Sequence, residues 1–565
     1  MNRHAVYHIS RGAYAYAIGE YTLCVRLRTA KNDCTTVKVH YLNVYNHSNN
    51  RKKVSMEKIL QDEYYDIYEA QLKLEERHFK YFFELKNDKE SVYYTSDGFI
   101  SNGVKNENSF FFPVINDDEI YTFPKWAEGV TIYQIFVDRF NKTYEKPFIN
   151  AKWNDIPKRH LFYGGDFNGI KEKLDYIHSL GVDVIYLSPI FSSVTNHKYD
   201  IEDFYSIDEM FGGEDQLQDL IKEIHNKKMR IVLDCVFNHM SCYNKIFQDV
   251  IEKGKKSLYK DWFYIKEYPI SIDRCNYDTF AGCVPSMPRL KTSNPQVIDY
   301  LVGASVYWTK KLGIDGWRLD VADEVSVSLW RKFREEILKV NCEALIIGEI
   351  WNDASKWMNG DQLHTVTNYK YRKWMMEFIE NKIDSSVFWQ KISANNALYK
   401  TLSYNYLVNL LGSHDTKRLA SVVGKNKAIL ALLTTLVFQG IGLIYYGDEI
   451  GLTGKDDPDN RRTMPWDKIS AENIKPFELL AKLKNKYPCI KYGKLIPIVV
   501  NENILAFERS YKNKNVEVYV NFTNKDILIE SRKSIFYYSF GEMIDEKTMS
   551  INRIRALSFA ICIKK

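Results

Sequence analysis

The chain has 565 residues, more than one hydrophobic core can organise, so two to four domains are expected. With 45% hydrophobic and 27% charged residues it reads as a globular protein, not a disordered or fibrous one. The net charge of +6 arises from 78 basic against 72 acidic side chains with no basic block, which removes the case for nucleic acid as a partner.

Nine cysteines are scattered at Cys24, Cys34, Cys235, Cys242, Cys275, Cys283, Cys342, Cys489 and Cys562, with no CxxC pair. An odd, dispersed set fits a reduced, cytoplasmic protein better than a disulfide framework. The start, Met1-Asn2-Arg3-His4, lacks the apolar core of a signal peptide, so the Asn-x-Thr at Asn521 is read as chance. The most apolar stretch, Ala428 to Tyr446, is interrupted by Gln439, Gly440 and Gly442. It is expected to split into a buried helix and a buried strand, with no membrane association.

In chain order, residues 1–122 alternate polar and apolar in short runs, such as Thr22 to Arg28, Lys80 to Leu85 and Val92 to Tyr94. Turn residues between the runs predict an N-terminal β-sandwich domain. Asn46 to Lys53 reads as a polar loop.

From about Trp126 strands and helices alternate. Candidate strands are Thr131–Phe136, Val182–Ser188, Arg230–Phe237, Ile314–Leu319, Ala344–Glu349, His364–Thr367, Tyr406–Leu411 and Gly440–Tyr445. Helical spacing lies between most of them, at Ile170–Leu180, Glu214–Asn226, Pro295–Leu312 and Val327–Val340. Eight strands with right-handed crossovers predict an α/β fold, a (β/α)8 TIM barrel over 123–485. The connection after the third strand is too long for a bare loop, so 240–294 is expected to form a small inserted lobe. Short strands return at Ile504–Glu508, Val516–Asn521 and Ser558–Ile563, a C-terminal β-domain over 486–565.

Four of the strands end in polar clusters: Asp234 to His239, Arg318 to Asp320, Glu349 to Trp351, and Ser413-His414-Asp415. The C-terminal ends of barrel strands form the face on which such folds do chemistry. Converging carboxylates there point to glycoside hydrolysis, which needs one acid to protonate the leaving oxygen and one carboxylate to meet the anomeric carbon.

These four clusters, in this order, resemble the four conserved regions of the α-amylase superfamily, glycoside hydrolase family 13. Within it the chain is similar to the neopullulanase, cyclomaltodextrinase and maltogenic amylase group. Phe162 to Asp166, Asn196 to Asp200, Met287 to Lys291, Val321 to Glu324 and Ile444 to Glu449 carry that likeness. The resemblance implies Asp320 as nucleophile, Glu349 as acid and then base, and Asp415 as a grip on sugar hydroxyls. It implies Tyr199 stacking beneath the sugar, His239 and His414 as neutral hydrogen-bonding partners, and Arg318 keeping Asp320 ionised. Glu324, Asp457 and Arg461 match positions near further sugars, although a helix cap (Glu324) and a solvated charged loop are competing readings. Asp234 reads as a buried partner of Arg318, and His197 as a residue behind the first contacts.

Two departures bear on specificity. Ser326 to Trp330 lacks a His usual in the group, and Lys291 replaces an Asn. Some relatives bind Ca2+ in the loop after the first strand. Here that loop, Asn141 to Lys146, keeps Asn141 but carries two lysines, so Ca2+ is not expected to be essential and no cofactor is required. The implied activity is retaining cleavage of α-1,4 bonds in cyclodextrins, maltooligosaccharides and pullulan. Transglycosylation or α-1,6 debranching on the same site is the alternative, and a non-catalytic carbohydrate-binding relative is a remoter one. The resemblance also implies a homodimer formed through the N-terminal domain.

Overall fold

The computed structural model of the chain describes residues 1–46, 50–282, 284–500, 503–539, 542–544 and 549–563. Cys283 therefore lies outside the described residues. The chain forms two compact units. The first joins Met1–Phe123 with two later stretches, Asp353–Asp361 and Ile383–Tyr404. The second holds Pro124–Asn352, Gln362–Lys382 and Asn405–Lys565.

The first unit is a β-sandwich. One antiparallel sheet runs in the order Ala15–Gly19, Thr22–Ala30, Tyr65–Lys73, Glu57–Gln61, and the other is built around Thr36–Leu42 and Phe79–Lys86. Alternation explains the core: Leu23, Val25 and Leu27 point inward against Val37, Val39, Tyr81, Phe83 and Leu85. His8 is buried there. Its Nδ1 donates to the Arg26 carbonyl at 2.7 Å, and burial holds its pKa down at about 4. Arg26, one residue from Val25 and Leu27, leaves from the opposite strand face. Its guanidinium donates to Glu69 (2.8 Å), the Tyr399 carbonyl (2.6 Å), Thr401 (2.6 Å) and Tyr404 (3.0 Å), so the stretch 383–404 is bound into this unit. The polar stretch Asn46 to Lys53 is only partly a loop. Lys52–Ser55 pairs with Thr36–Leu42 as a strand, and 47–49 lie outside the described residues.

The second unit contains a closed parallel barrel of eight strands: β1 (Thr131–Ile135), β2 (Val184–Leu187), β3 (Arg230–Cys235), β4 (Gly316–Leu319), β5 (Leu345–Gly348), β6 (Thr365–Asn368), β7 (Val408–Leu410) and β8 (Ile441–Tyr445). All eight fall where apolar runs of strand length predicted them. The expected helix at Ile170–Leu180 is broken at Lys173 into Phe167–Glu172 and Leu174–Ser179. The other three form as Gly213–Asn226, Pro295–Leu312 and Val327–Val340. The apolar stretch Ala428 to Tyr446 divides into the helix Lys425–Val437 and strand β8, both buried. No helix among the described residues is long and apolar enough to cross a membrane. Beyond the barrel, the strands Lys494–Ile498, Ile504–Tyr511, Lys514–Asn521, Ser558–Ile563 and Ile527–Ser539 form one antiparallel sheet. Arg509 of that sheet donates to the Gly493 carbonyl (3.0 Å) and the Val437 carbonyl (2.6 Å).

Candidate active site

Strand register builds the site. Asp234 pairs with Arg318 across β3 and β4, and Leu319 with Gly348 across β4 and β5. The next residues, Asp320 and Glu349, therefore leave their strands side by side. Their backbone N–H groups extend the ladder to the carbonyls of Cys235 (3.0 Å) and Leu319 (2.9 Å).

Arg318 is the centre of the charge cluster. Its Nη1 lies 2.7 Å from Asp320 Oδ1 and 2.9 and 3.0 Å from the two Asp234 oxygens, and its Nη2 lies 2.5 Å from Glu349 Oε2. All four side chains are at most 7% exposed. Asp234 also accepts from Tyr186 (2.5 Å) and Tyr199 (3.0 Å), which makes it a structural partner of Arg318 and a clasp for Tyr199. Burial pushes the Asp320 carboxyl well above the usual range. Arg318 opposes this, while Glu349, Asp234 and Asp415 add to the rise. The expectation that Arg318 keeps Asp320 ionised rests on their direct 2.7 Å contact. One guanidinium is shared by three carboxylates, so their mutual repulsion opposes its hold on Asp320.

Asp415 behaves oppositely. Burial would push its carboxyl up, but His414 Nε2 at 3.0 Å and Arg461 at 3.5 Å, with Arg318 beyond, hold it well below the usual range. Behind it runs a hydrogen-bonded chain. Gln134 Nε2 donates to His414 Nδ1 (2.7 Å), His414 Nε2 donates to Tyr199 Oη (2.5 Å), and Tyr199 donates to Asp234. The Tyr199 and His414 rings are stacked, 14° apart.

Two nearby imidazoles are kept neutral by burial, His239 at about 4 and His197 at about 3. His239 Nε2 donates to the Tyr199 carbonyl (3.1 Å), so its Nδ1 is a buried acceptor without a partner among the described residues. An orphaned acceptor of this kind is suited to a ligand hydroxyl. His197 Nδ1 accepts from the Tyr199 backbone (3.1 Å) and so supports Tyr199 from behind.

Glu349 is held from several sides. Val321, directly after Asp320, adopts φ +44, a left-handed conformation that costs a β-branched residue about 1–3 kcal/mol. That turn aims its N–H at Glu349 Oε2, 3.3 Å away. Oε1 accepts from Tyr369 (3.2 Å) and Trp351 (3.3 Å), whose rings stack at 3.8 Å. Tyr369, Tyr186 and Gln134 were not singled out from sequence, and Trp351 entered only as the end of the Glu349 cluster. The available signal was a lone polar atom in the apolar strands β1 and β2, and an aromatic residue directly after strand β6.

The remaining candidates sit farther out. Asp457 pairs with Arg461 (3.1 Å) and Arg159 (3.7 Å), and Arg461 Nε donates to the His414 carbonyl (2.9 Å). Arg461 thus joins Asp457 to Asp415. Glu324 lies in a short helical turn, 44% exposed, 3.6 Å from Arg289, and does not reach the carboxylate cluster by any direct bond among the described residues.

Among the described residues no three His, Cys, Asp or Glu side chains are grouped to hold a metal ion. In the loop after β1 the oxygens suited to Ca2+ are engaged by an ammonium. Lys146 Nζ lies 2.7 Å from Asp166 Oδ2, 3.1 Å from the Met210 carbonyl and 3.5 Å from that of Gly164. A divalent ion does not fit beside it.

Comparison with known proteins agrees with this geometry. The model of the α-amylase catalytic domain matches residues 134–486, and that of the α-amylase N-terminal Ig-like domain matches residues 1–116. The chain is 38% identical to the cyclomaltodextrinase of Thermoanaerobacter pseudethanolicus over 94% of both proteins. It is 39% identical to neopullulanase 2 of Thermoactinomyces vulgaris over 92% of this chain and 90% of that protein. Among solved structures, a cyclomaltodextrinase superposes with a TM-score of 0.91 at 32% identity, with all of both chains covered. A barrel with this carboxylate cluster, preceded by a matching β-sandwich, makes the chain a member of the α-amylase family of glycoside hydrolases.

Proposed function

We propose that this enzyme opens cyclodextrins and cuts short α-1,4-linked glucans, including maltooligosaccharides and pullulan, with retention of anomeric configuration. The observation that carries the reading is the single Arg318 guanidinium spanning Asp320 and Glu349 at the ends of adjacent strands. Two carboxylates held so close suit a double displacement better than attack by an interposed water. The glycosidic oxygen takes a proton from Glu349 as its bond to the anomeric carbon breaks. Asp320 bonds to that carbon. Glu349, now a carboxylate, removes a proton from water as the water oxygen displaces Asp320, and so regains its proton. Asp415, held anionic, accepts from sugar hydroxyls. His239 Nδ1 accepts another, and the Tyr199 ring offers an apolar face to the sugar.

The similarity to a cyclomaltodextrinase and a neopullulanase supports cyclic and short substrates. Exposed aromatic side chains in the first unit, Tyr21, Tyr45, Tyr64 and Phe111, support an interface there and hence a homodimer. The described cysteines are all free, in keeping with a cytoplasmic enzyme. The Lys146 ammonium supports activity without a divalent cofactor.

The test is a time course of products in EDTA with β-cyclodextrin, soluble starch and pullulan. Rapid opening of the cyclodextrin to maltose, slow attack on starch and panose from pullulan are expected. Rapid starch cleavage with cyclodextrin untouched would reject the substrate assignment. Asp320→Asn is expected to abolish turnover while leaving sugar binding, and sedimentation should give a dimer mass.

A further inference from the structure

The loop after β1 is fastened by a buried positive charge that belongs to the chain. Lys146 is buried, and its Nζ reaches one carboxylate oxygen, Asp166 Oδ2, and two backbone carbonyls, Met210 and Gly164. Thr143 Oγ1 donates to the same Asp166 oxygen at 2.9 Å. Asp166 Oδ1 accepts from Gly169 at 2.6 Å and caps the helix Phe167–Glu172. Three separate stretches therefore converge on one ammonium: the loop of Thr143 and Lys146, the turn of Gly164 to Asp166, and the short helical turn Glu209–Phe211. The turn leaves no spare room, because a Cβ at Gly165 would run into the Val137 carbonyl.

A second buried ammonium stands behind the first. Lys198 Nζ lies 2.7 Å from Asp208 Oδ2, 2.9 Å from the Ser193 carbonyl and 3.4 Å from Met210 Sδ. Met210 is thus gripped at its carbonyl by one lysine and at its sulfur by the other. Lys198 directly precedes Tyr199, which the hydrogen-bonded chain through His414 and Asp234 holds in the site. The clamp at Lys146 accordingly bears on the segment that carries Tyr199.

Carboxylate, hydroxyl and carbonyl oxygens converging on a point are the donor set of a hard divalent cation. We propose that the Lys146 ammonium is a tethered replacement for such a cation, and that removing it uncovers a calcium site on Asp166, Gly164, Met210 and Thr143. The native chain then neither binds nor needs calcium at this loop. A variant without the ammonium leaves a buried carboxylate facing carbonyl dipoles, an arrangement that only another cation or a proton relieves.

The experiment uses the full chain and calcium alone as probe, read by thermal unfolding and isothermal titration calorimetry, independently of any substrate. For the native chain, EDTA and millimolar calcium should give the same Tm and no stoichiometric binding. Lys146→Ala should unfold about 5–10 °C lower in EDTA, the effect of breaking a buried ion pair, and regain most of that with one calcium bound. Lys146→Ala combined with Asp166→Asn should lose the calcium response. If Lys146→Ala is recovered folded only in calcium, the proposal is equally supported. A native chain whose Tm falls in EDTA, or a Lys146→Ala chain indifferent to calcium whether folded or not, would overturn it.

Discussion

Gln134 of strand β1 donates its side-chain amide to Nδ1 of His414, 2.7 Å away, and so leaves the proton of that imidazole on Nε2. From there it points at Tyr199 and at Asp415. Gln134 is a positioning residue, because it reaches the sugar site only through His414. Gln134→Glu places an acceptor where a donor stood and draws the proton to Nδ1. The expected outcome is a 10- to 100-fold loss in kcat/KM, roughly 1.4–3 kcal/mol for one misdirected hydrogen bond near charge. Nitrogen-15 NMR of labelled histidine should show the tautomer change. Loss of activity with the Nε2 tautomer intact would assign Gln134 a packing role only.

Glu349→Gln removes the proton donor and leaves Asp320 in place. Cyclodextrin cleavage should fall by about 10²–10⁴, the usual contribution of a general acid. A maltosyl fluoride needs no protonation to depart, so formation of the glycosyl-enzyme from it should survive within about tenfold, measured as a fluoride burst. Equal losses on both substrates would contradict the assignment of the acid.

Arg318→Ala strips the only cation bonded directly to Asp234, Asp320 and Glu349 among the described contacts. Breaking buried pairs of this kind costs about 3–5 kcal/mol. The sign of its pH dependence follows from charge. With the guanidinium gone, the Asp320 carboxyl is pushed further up, so the folded state binds more protons than the unfolded one, and the deficit should shrink as pH falls from 7 toward 5. Urea unfolding at several pH values reads this. A deficit that grows on acidification would mean that the cluster was not anionic in the folded protein.

The first unit carries its own acid sensitivity. His8 has a folded pKa of about 4 against an ordinary value of 6.5. Between these values the unfolded chain holds the proton and the folded one does not, so stability is full above pH 6.5 and is lost as pH falls to about 4. The gap corresponds to roughly 3 kcal/mol. His8→Gln should flatten the stability profile of this unit across that window, as followed by its tyrosine circular dichroism. An unchanged slope would place the acid sensitivity elsewhere.

Much of this was legible in the residues themselves. The strands β3, β4 and β5 announce themselves as apolar runs ending on Asp234, Asp320 and Glu349, because a strand buried on both faces has no other pattern. Tyr369, Trp351 and Gln134 were hidden for the converse reason. Tyr369 and Gln134 each carry a polar group whose partner lies in a distant strand or loop, and Trp351 is exposed, with an indole N–H that reaches back to Glu349 two residues away. The sequence reading paired Arg318 with Asp234 and Asp320, and the structure adds Glu349 as a third carboxylate on the same guanidinium. Arg26 was equally silent, since nothing local in Val25-Arg26-Leu27 betrays that its partners are Tyr399, Thr401 and Tyr404.

That last relationship decides how separable the parts of this chain are. The connection between strands β6 and β7 passes through the sandwich unit, where Arg26 and Glu69 hold Thr401 and its neighbours. A cut at residue 123 would not release a self-sufficient barrel. It would orphan a segment lying between two of the barrel's own strands. The same holds for exchange among relatives: a sandwich imported without its matching 383–404 stretch brings an arginine left with Glu69 alone among the partners named above. A chimera therefore has to take its crossover points in pairs.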